Sequence, residues 1–233
     1  MQAVILAGGK GTRLKPYTVT FPKSLVPVGD LPILEIIIMQ LAKAGVTNII
    51  MTVGHLAGLI ESYFGNGARW GVTIRYSTEE KPLGTAGPLK LINDLRDNFL
   101  VMNSDTLTDL DFRIFFNFHV QSGAMVTIAT YKKEQEIDLG IIRHDKDNII
   151  TEYIEKPVSE YLVSTGIYSF RKTALEHIPD GIYFDFPDLI KKLIGEKEKV
   201  LSFPHNGYWL DIGRPADYEK ACEEFEGKKT LFL

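Results

Sequence analysis

Short apolar runs alternate with longer amphipathic stretches through the first half of the chain. Runs at 3–6, 48–53, 72–76 and 99–102 have strand length, and glycine or polar residues follow each of them. Between the first two, residues 31–44 predict the clearest helix. Pro32 falls in its first turn, a long apolar face follows, and Gly45 is placed to stop it. Weaker patterns predict shorter helices over 55–64 and 88–95. Strands alternating with helices at this spacing imply an α/β fold. Its sheet should be parallel or mostly parallel and covered on both faces, with ligands in the loops at the carboxyl ends of the strands.

The rhythm changes in the second half. Segments 124–131, 139–143, 149–154 and 161–170 read as closely spaced strands with few helices between them, a β extension of the sheet that faces the substrate. Helical patterns return at 185–194 and 215–226. Phe112, Phe115, Phe116 and Phe118 share a spacing that suits core packing of one helix, and such a cluster also suits a subunit contact in a homo-oligomer. No internal repeat is present, and no hexapeptide pattern announces a C-terminal β-helix.

A chain of 233 residues, 45% hydrophobic and 24% charged, supports one main core with a modest subdomain laid on it. The net charge of −4 argues against broad binding to nucleic acid or to an anionic membrane, so any phosphate must be gripped locally. The single cysteine, Cys222, forms no intrachain disulfide, fits a reducing compartment, and is expected to be buried on a helix. The opening MQAVILAGG is too short for a signal or membrane segment, which makes the cytoplasm the simplest address. None of the five histidines pairs with another histidine or with the cysteine at metal-ligand spacing, so no zinc site is expected.

The candidate chemistry begins directly after the first strand. Leu6 and Ala7 lead into Gly8, Gly9, Gly11, Thr12 and Arg13. Glycines there let the backbone approach a phosphate chain and aim N–H groups at it, and the arginine adds a planar fork of donors. The spacing excludes two better-known phosphate loops. A P-loop would need glycine at Val4 and serine or threonine at Gly11, and a dinucleotide fingerprint would need glycine at Leu14. Downstream, FPKSLVPVGD sets Lys23 on a segment stiffened by Pro22 and Pro27, where its point charge can meet phosphate at little ordering cost.

Together, G-G-x-G-T-R-L-x-P-x-T and P-K-x-L-V-P-V resemble the sugar-phosphate nucleotidyltransferase family. The resemblance continues in order through EEKPLGTAGPL, FLVMNSD, IEKP, STGIYSF and GYWLDIGRPADYEKA, and so spans nearly the whole chain. It implies a Rossmann-like doubly wound sheet, magnesium dependence, and attack of a sugar 1-phosphate on the α-phosphorus of a nucleoside triphosphate. It also implies a division of labour, with 1–122 serving the nucleotide and 123–233 the sugar phosphate.

In that chemistry the glycine-loop amides are expected to cradle the triphosphate and Arg13 and Lys23 to hold it and the leaving pyrophosphate, while base choice is expected from contacts of the first loop and of the segment from Pro82 to Pro88, which contains Gly84 and Thr85. Asp105, which follows a strand at the sheet's active edge, and Asp211, in YWLDIG, match the family's two metal aspartates. Magnesium commonly takes one or two carboxylates plus substrate phosphates, so this pair suffices. Glu155 and Lys156 match the sugar-phosphate pair, with Lys156 neutralising the phosphate. Gly140, whose missing side chain leaves room for a sugar ring, stands nearby with Ser164, Thr165 and Gly166. Trp209 is expected to brace the loop carrying Asp211.

The run PLGTAGPL with a strand ending in NSD is most similar to the mannose-1-phosphate guanylyltransferase branch, which implies GTP and mannose 1-phosphate. Thymidylyl, uridylyl and heptose-phosphate guanylyl branches share most of these motifs, as would a catalytically inert nucleotide-sugar sensor. The absence of Asp-x-Asp at Asp105-Thr106-Leu107 argues against glycosyl transfer.

Overall fold

The computed structural model describes residues 1–233. The chain begins with β1 (Gln2–Leu6), passes two single-turn 3-10 helices (Thr12–Leu14 and Lys23–Leu25) and the paired two-residue strands β2 (Pro27–Val28) and β3 (Leu31–Pro32), and enters α1 (Ile33–Lys43). Next come β4 (Asn48–Val53), α2 (Ala57–Phe64), β5 (Thr73–Thr78), β6 (Asn98–Asn103), β7 (Thr106–Thr108) and α3 (Phe112–Ser122). The second half comprises β8 (Val126–Glu136), β9 (Ile141–His144), β10 (Ile150–Ile154), β11 (Val158–Arg171), α4 (Phe186–Gly195), β12 (Val200–His205), β13 (Trp209–Asp211) and α5 (Pro215–Phe232).

Seven strands form one sheet in the order β12-β8-β11-β6-β1-β4-β5. Only β11 runs against the others, pairing antiparallel with both β6 and β8. The sheet is therefore mostly parallel, and its period-two alternation feeds two cores. Ala3 and Ile5, Ile49 and Met51, and Leu100 and Met102 face α1, α3 and α5, whereas Val4, Ile50, Phe99 and Val101 face α4. Burial on both faces explains why these strands read as continuous apolar runs.

Helix α1 is shorter than its sequence pattern, because Leu31 and Pro32 pair with β2 and Pro32 occupies the N-cap position. Gly45, at φ +90°, ends it as expected. Buried Glu35 on this helix is held by Tyr63, by Trp70 Nε1 at 3.1 Å and by Arg69. The segment 88–95 forms only a 3-10 turn, Gly87–Leu91. Phe112 and Phe115 enter the core, while Phe118 remains 38% exposed against Phe203. Cys222 lies on α5 as expected but is exposed, a correction to the burial expected of it. No helix is long and apolar enough to cross a membrane.

The long strands β8 and β11 outrun the sheet. Their outer halves, together with the antiparallel β9–β10 hairpin, form a largely exposed β extension.

Candidate functional site

The carboxyl ends of β1, β4, β5 and β6 open onto one cleft of about 800 Å³, within the usual range for small-molecule sites. Its floor is the glycine loop. The amides of Gly8, Gly9, Lys10 and Gly11 donate to no protein acceptor, so a row of N–H groups is free to meet an anion. Gly11, at φ +59°, turns the loop. Its carbonyl accepts from Thr18 Oγ1 at 2.6 Å, and a Cβ at this position would stand 3.1 Å from that of Lys23. This close approach packs the lysine segment against the loop.

Lys23 forms an ion pair with Asp105 Oδ2, and both side chains are mostly buried. The second oxygen, Oδ1, is buried without any hydrogen-bond partner. Antiparallel pairing of β7 with β13 sets Asp211 opposite Thr106, and Ile212 N donates to Asp105 O at 3.0 Å. Backbone register thus brings Asp211 beside Asp105. Burial pushes the Asp211 carboxyl above the usual range, the Asp105 charge pushes it further, and Lys23 and Arg13 oppose both. The Arg13 guanidinium reaches over Gly213, where a Cβ would lie 3.6 Å from Cζ and 3.0 Å from Asp211 Oδ2. The result is two carboxylates and two cations converging at one end of the cleft. No cluster of three metal-ligating side chains forms, so a cation here would complete its shell with phosphate and water oxygens, as magnesium does.

Leu6, Ala7, Gly8, Gly9, Gly11, Thr12, Arg13, Lys23, Pro82, Gly84, Thr85 and Asp105 all line this cleft. Thr85 does so as a strut. Its amide and hydroxyl donate to Asp185 Oδ1 at 2.8 and 3.0 Å, and its hydroxyl accepts from Phe186 N at 2.8 Å. Gly84, at φ +81°, permits that docking, because a Cβ would lie 2.6 Å from Phe184 O.

The residues assigned to the sugar phosphate are dispersed. Gly166, at φ +77°, packs on Asn103, which lines the cleft. Ser164 Oγ donates to Tyr168 Oη at 3.1 Å, and the buried Thr165 hydroxyl donates to Ala129 O at 2.8 Å. Trp209 Nε1 donates to Thr165 O at 3.0 Å, tying β13 to β11. Gly140, Glu155 and Lys156 remain on the β extension, outside the cleft lining. Lys156 pairs with Asp138 at 2.5 Å, and Tyr153 Oη donates to Glu155 at 3.1 Å. The space beside Gly140, read from the sequence as room for a sugar ring, is filled by the Tyr153 phenol.

Sequence reasoning missed Thr52, His55, Glu79, Asn103, Tyr183 and Asp185, all of which line the cleft. Thr52 and His55 had only their place at the end of β4 to mark them, Glu79 and Asn103 lie within the EEKPLGTAGPL and FLVMNSD motifs, and only a helix N-cap position marked Asp185.

The described family model for nucleotidyl transferase matches residues 2–228. A mannose-1-phosphate guanyltransferase of Debaryomyces hansenii is 39% identical over 235 residues, which cover 94% of this chain and 62% of the relative. A UTP–glucose-1-phosphate uridylyltransferase of Synechocystis sp. is 37% identical, covering 95% and 62%. The chain therefore spans less than two thirds of the length of these curated relatives. Among solved structures, HddC from Yersinia pseudotuberculosis complexed with GMP-PN superimposes with a TM-score of 0.73 at 28% identity, covering 96% of this chain and 99% of that one.

Proposed function

The chain belongs to the nucleotidyl transferase family, and on that premise we propose that it joins a nucleoside triphosphate to a sugar 1-phosphate, releasing pyrophosphate and forming a nucleotide sugar. The observation that carries the reading is the row of free amides from Gly8 to Gly11 beside Arg13, Lys23 and the Asp105–Asp211 pair. GTP and mannose 1-phosphate are the substrates of choice, supported by the guanyltransferase relative and by the GMP-PN complex of HddC. The uridylyltransferase relative supports UTP with glucose 1-phosphate as the second reading.

The loop amides cradle the triphosphate, and Arg13 and Lys23 hold its β- and γ-phosphates, which leave as pyrophosphate. Asp105 and Asp211 would hold the magnesium ion; the orphaned, buried Asp105 Oδ1 fits that role. Bound there, the cation would neutralise phosphate charge. Lys156, on the β extension, meets the incoming sugar phosphate while Glu155 contacts sugar hydroxyls; residues 1–122 supply most of the nucleotide cleft, and 123–233 serve the sugar phosphate while adding Tyr183, Asp185 and Gly213 to that cleft. No general base is required, because a phosphate monoester with a second pKa near ~6 is already an anionic nucleophile at neutral pH. The protein aligns the attacking oxygen with the leaving pyrophosphate and stabilises the spread charge. This chemistry, the single cysteine and the moderate acidity suit a cytoplasmic enzyme.

The test is a matrix of GTP, UTP, dTTP, ATP and CTP against several sugar 1-phosphates with magnesium, scoring pyrophosphate and product mass. Turnover with GTP and mannose 1-phosphate is expected. Folded protein that binds triphosphate but releases no pyrophosphate with any pair would refute the activity.

A further inference from the structure

The β extension presents its two sugar-phosphate side chains already engaged, each by a neighbour of matching chemistry. At the junction where β8 passes into β9 and β10 into β11, residues 137–140 stand across from 155–157. Ile137 N donates to Pro157 O at 3.1 Å, and Ile141 pairs with Ile154. Lys156 turns this corner at φ +43°, a backbone region that residues with a side chain seldom adopt and that is retained chiefly at working sites. Its ammonium lies 2.5 Å from Asp138 Oδ1. On the facing strand, Tyr153 folds over Gly140, where a Cβ would lie 2.2 Å from the phenol oxygen, and the phenol donates to Glu155 Oε2 at 3.1 Å.

In the transfer reading above, Lys156 meets a phosphate and Glu155 meets sugar hydroxyls. Asp138 gives Lys156 an anionic oxygen. Tyr153 gives Glu155 a hydroxyl donor carried on a six-membered ring, in the space that Gly140 leaves open. The two side chains together imitate the substrate.

We propose that Asp138 and Tyr153 are specificity-determining residues of the sugar-phosphate subsite, an internal stand-in that is fully displaced only by a ligand supplying a phosphate and a ring hydroxyl together. The assignment rests on the roles given above to Lys156 and Glu155. A phosphate monoester is nearly doubly charged at neutral pH, whereas Asp138 offers a single charge, so the exchange at Lys156 favours the substrate. Asp138 is 82% and Lys156 52% exposed, so the ion pair withholds the lysine only mildly, by a factor of up to about 5 in affinity. Inorganic phosphate replaces Asp138 alone and leaves the Tyr153 contact in place.

The test titrates the full chain, Asp138→Asn and Tyr153→Leu by calorimetry with magnesium and an α,β-methylene triphosphate, which resists transfer. The probes are mannose 1-phosphate with the GTP analogue, glucose 1-phosphate with the UTP analogue, and inorganic phosphate with each. Both replaced side chains are exposed, so neither substitution disturbs the core. Asp138→Asn should bind the sugar phosphate and inorganic phosphate each roughly 2- to 5-fold more tightly. Tyr153→Leu should tighten the sugar phosphate and leave inorganic phosphate unchanged. In turnover the KM for the sugar phosphate should fall in both variants, with kcat and the KM for the triphosphate unmoved.

Unchanged or weaker sugar-phosphate binding in Asp138→Asn would overturn the proposal. So would weaker sugar-phosphate binding in Tyr153→Leu, which would make the phenol a substrate contact, or an equal gain there for inorganic phosphate, which would reduce the effect to general loosening. Both tightening patterns without pyrophosphate release would uphold the stand-in and sink the transfer reaction. Pyrophosphate release with neither pattern would sink the stand-in and leave the transfer reaction intact.

Discussion

Replacing Lys23 by methionine keeps most of the side-chain volume and removes the charge that faces Asp105. The two side chains are 12% and 15% exposed, and Asp105 Oδ1 already lacks a partner, so the variant strands a buried carboxylate with both oxygens unpaired. Breaking a buried pair on one side costs about 3–5 kcal/mol. In a chain of this size each kcal/mol moves the melting temperature by roughly 2–4 °C, so ligand-free Lys23→Met should melt roughly 6–20 °C lower.

Two controls separate this cause from general damage. Lys23→Met combined with Asp105→Asn removes both charges and should recover most of the loss. Magnesium should raise the melting temperature of Lys23→Met more than that of the unmodified protein, because the stranded carboxylate gains a cation. Turnover should fall by roughly 10²–10³, as when one charge-stabilising donor is lost. Thermal scans with and without magnesium, paired with pyrophosphate release, give all three readings. Unchanged melting and near-normal turnover in Lys23→Met would refute the reasoning.

Asp211→Asn should raise the melting temperature of the ligand-free protein at neutral pH while sharply lowering turnover. The raised carboxyl gives stability that is present below its unfolded pKa and is lost as pH rises through the folded one, so the variant's advantage should shrink on acidification; a less stable Asp211→Asn at neutral pH would contradict this. Burial, with help from the Arg171 charge, pushes His119 down to about 4, where its Nδ1 lies 2.8 Å from Thr127 Oγ1. Stability should therefore be lost as pH falls from about 6.5 through 4, by up to about 3 kcal/mol; urea midpoints of the protein and of His119→Gln compared across that window check it, and parallel curves would refute it. Gly84→Ala should cost about 1–2 kcal/mol from its left-handed backbone alone, and the clash with Phe184 O should also weaken triphosphate binding; titration showing unaltered affinity would count against the docked loop.

The parallel half of the fold was legible because its strands are buried on both faces and stand out as apolar runs. Strand β12 was missed for the opposite reason: at the sheet edge its residues alternate between half-buried and exposed, and Pro204 interrupts the pattern. The glycine loop, Arg13, Lys23 and Asp105 were legible because each stands next to a strand end or between stiffening prolines. Proximity of Asp105 and Asp211 depends on β7–β13 pairing across more than a hundred residues, and no local pattern reports such pairing; the family motif did. Asp185 had no motif of its own, and only the assembled cleft reveals it, whereas Glu79 opens the EEKPLGTAGPL motif but gained a place in the site only once the cleft was assembled. On the β extension, Gly140 illustrates how an empty side chain is ambiguous in sequence, since a neighbouring tyrosine claimed the space.

Isotope exchange tests the central claim most directly, that two substrates react with each other and not with the protein. Incubated with radiolabelled pyrophosphate, magnesium and GDP-mannose, the protein is expected to place label in GTP. With GTP substituted for the nucleotide sugar and no sugar phosphate present, no label should enter. Label entering GTP without any sugar partner would reveal a covalent nucleotidyl-protein intermediate, and failure to label a triphosphate from any nucleotide sugar would contradict the account.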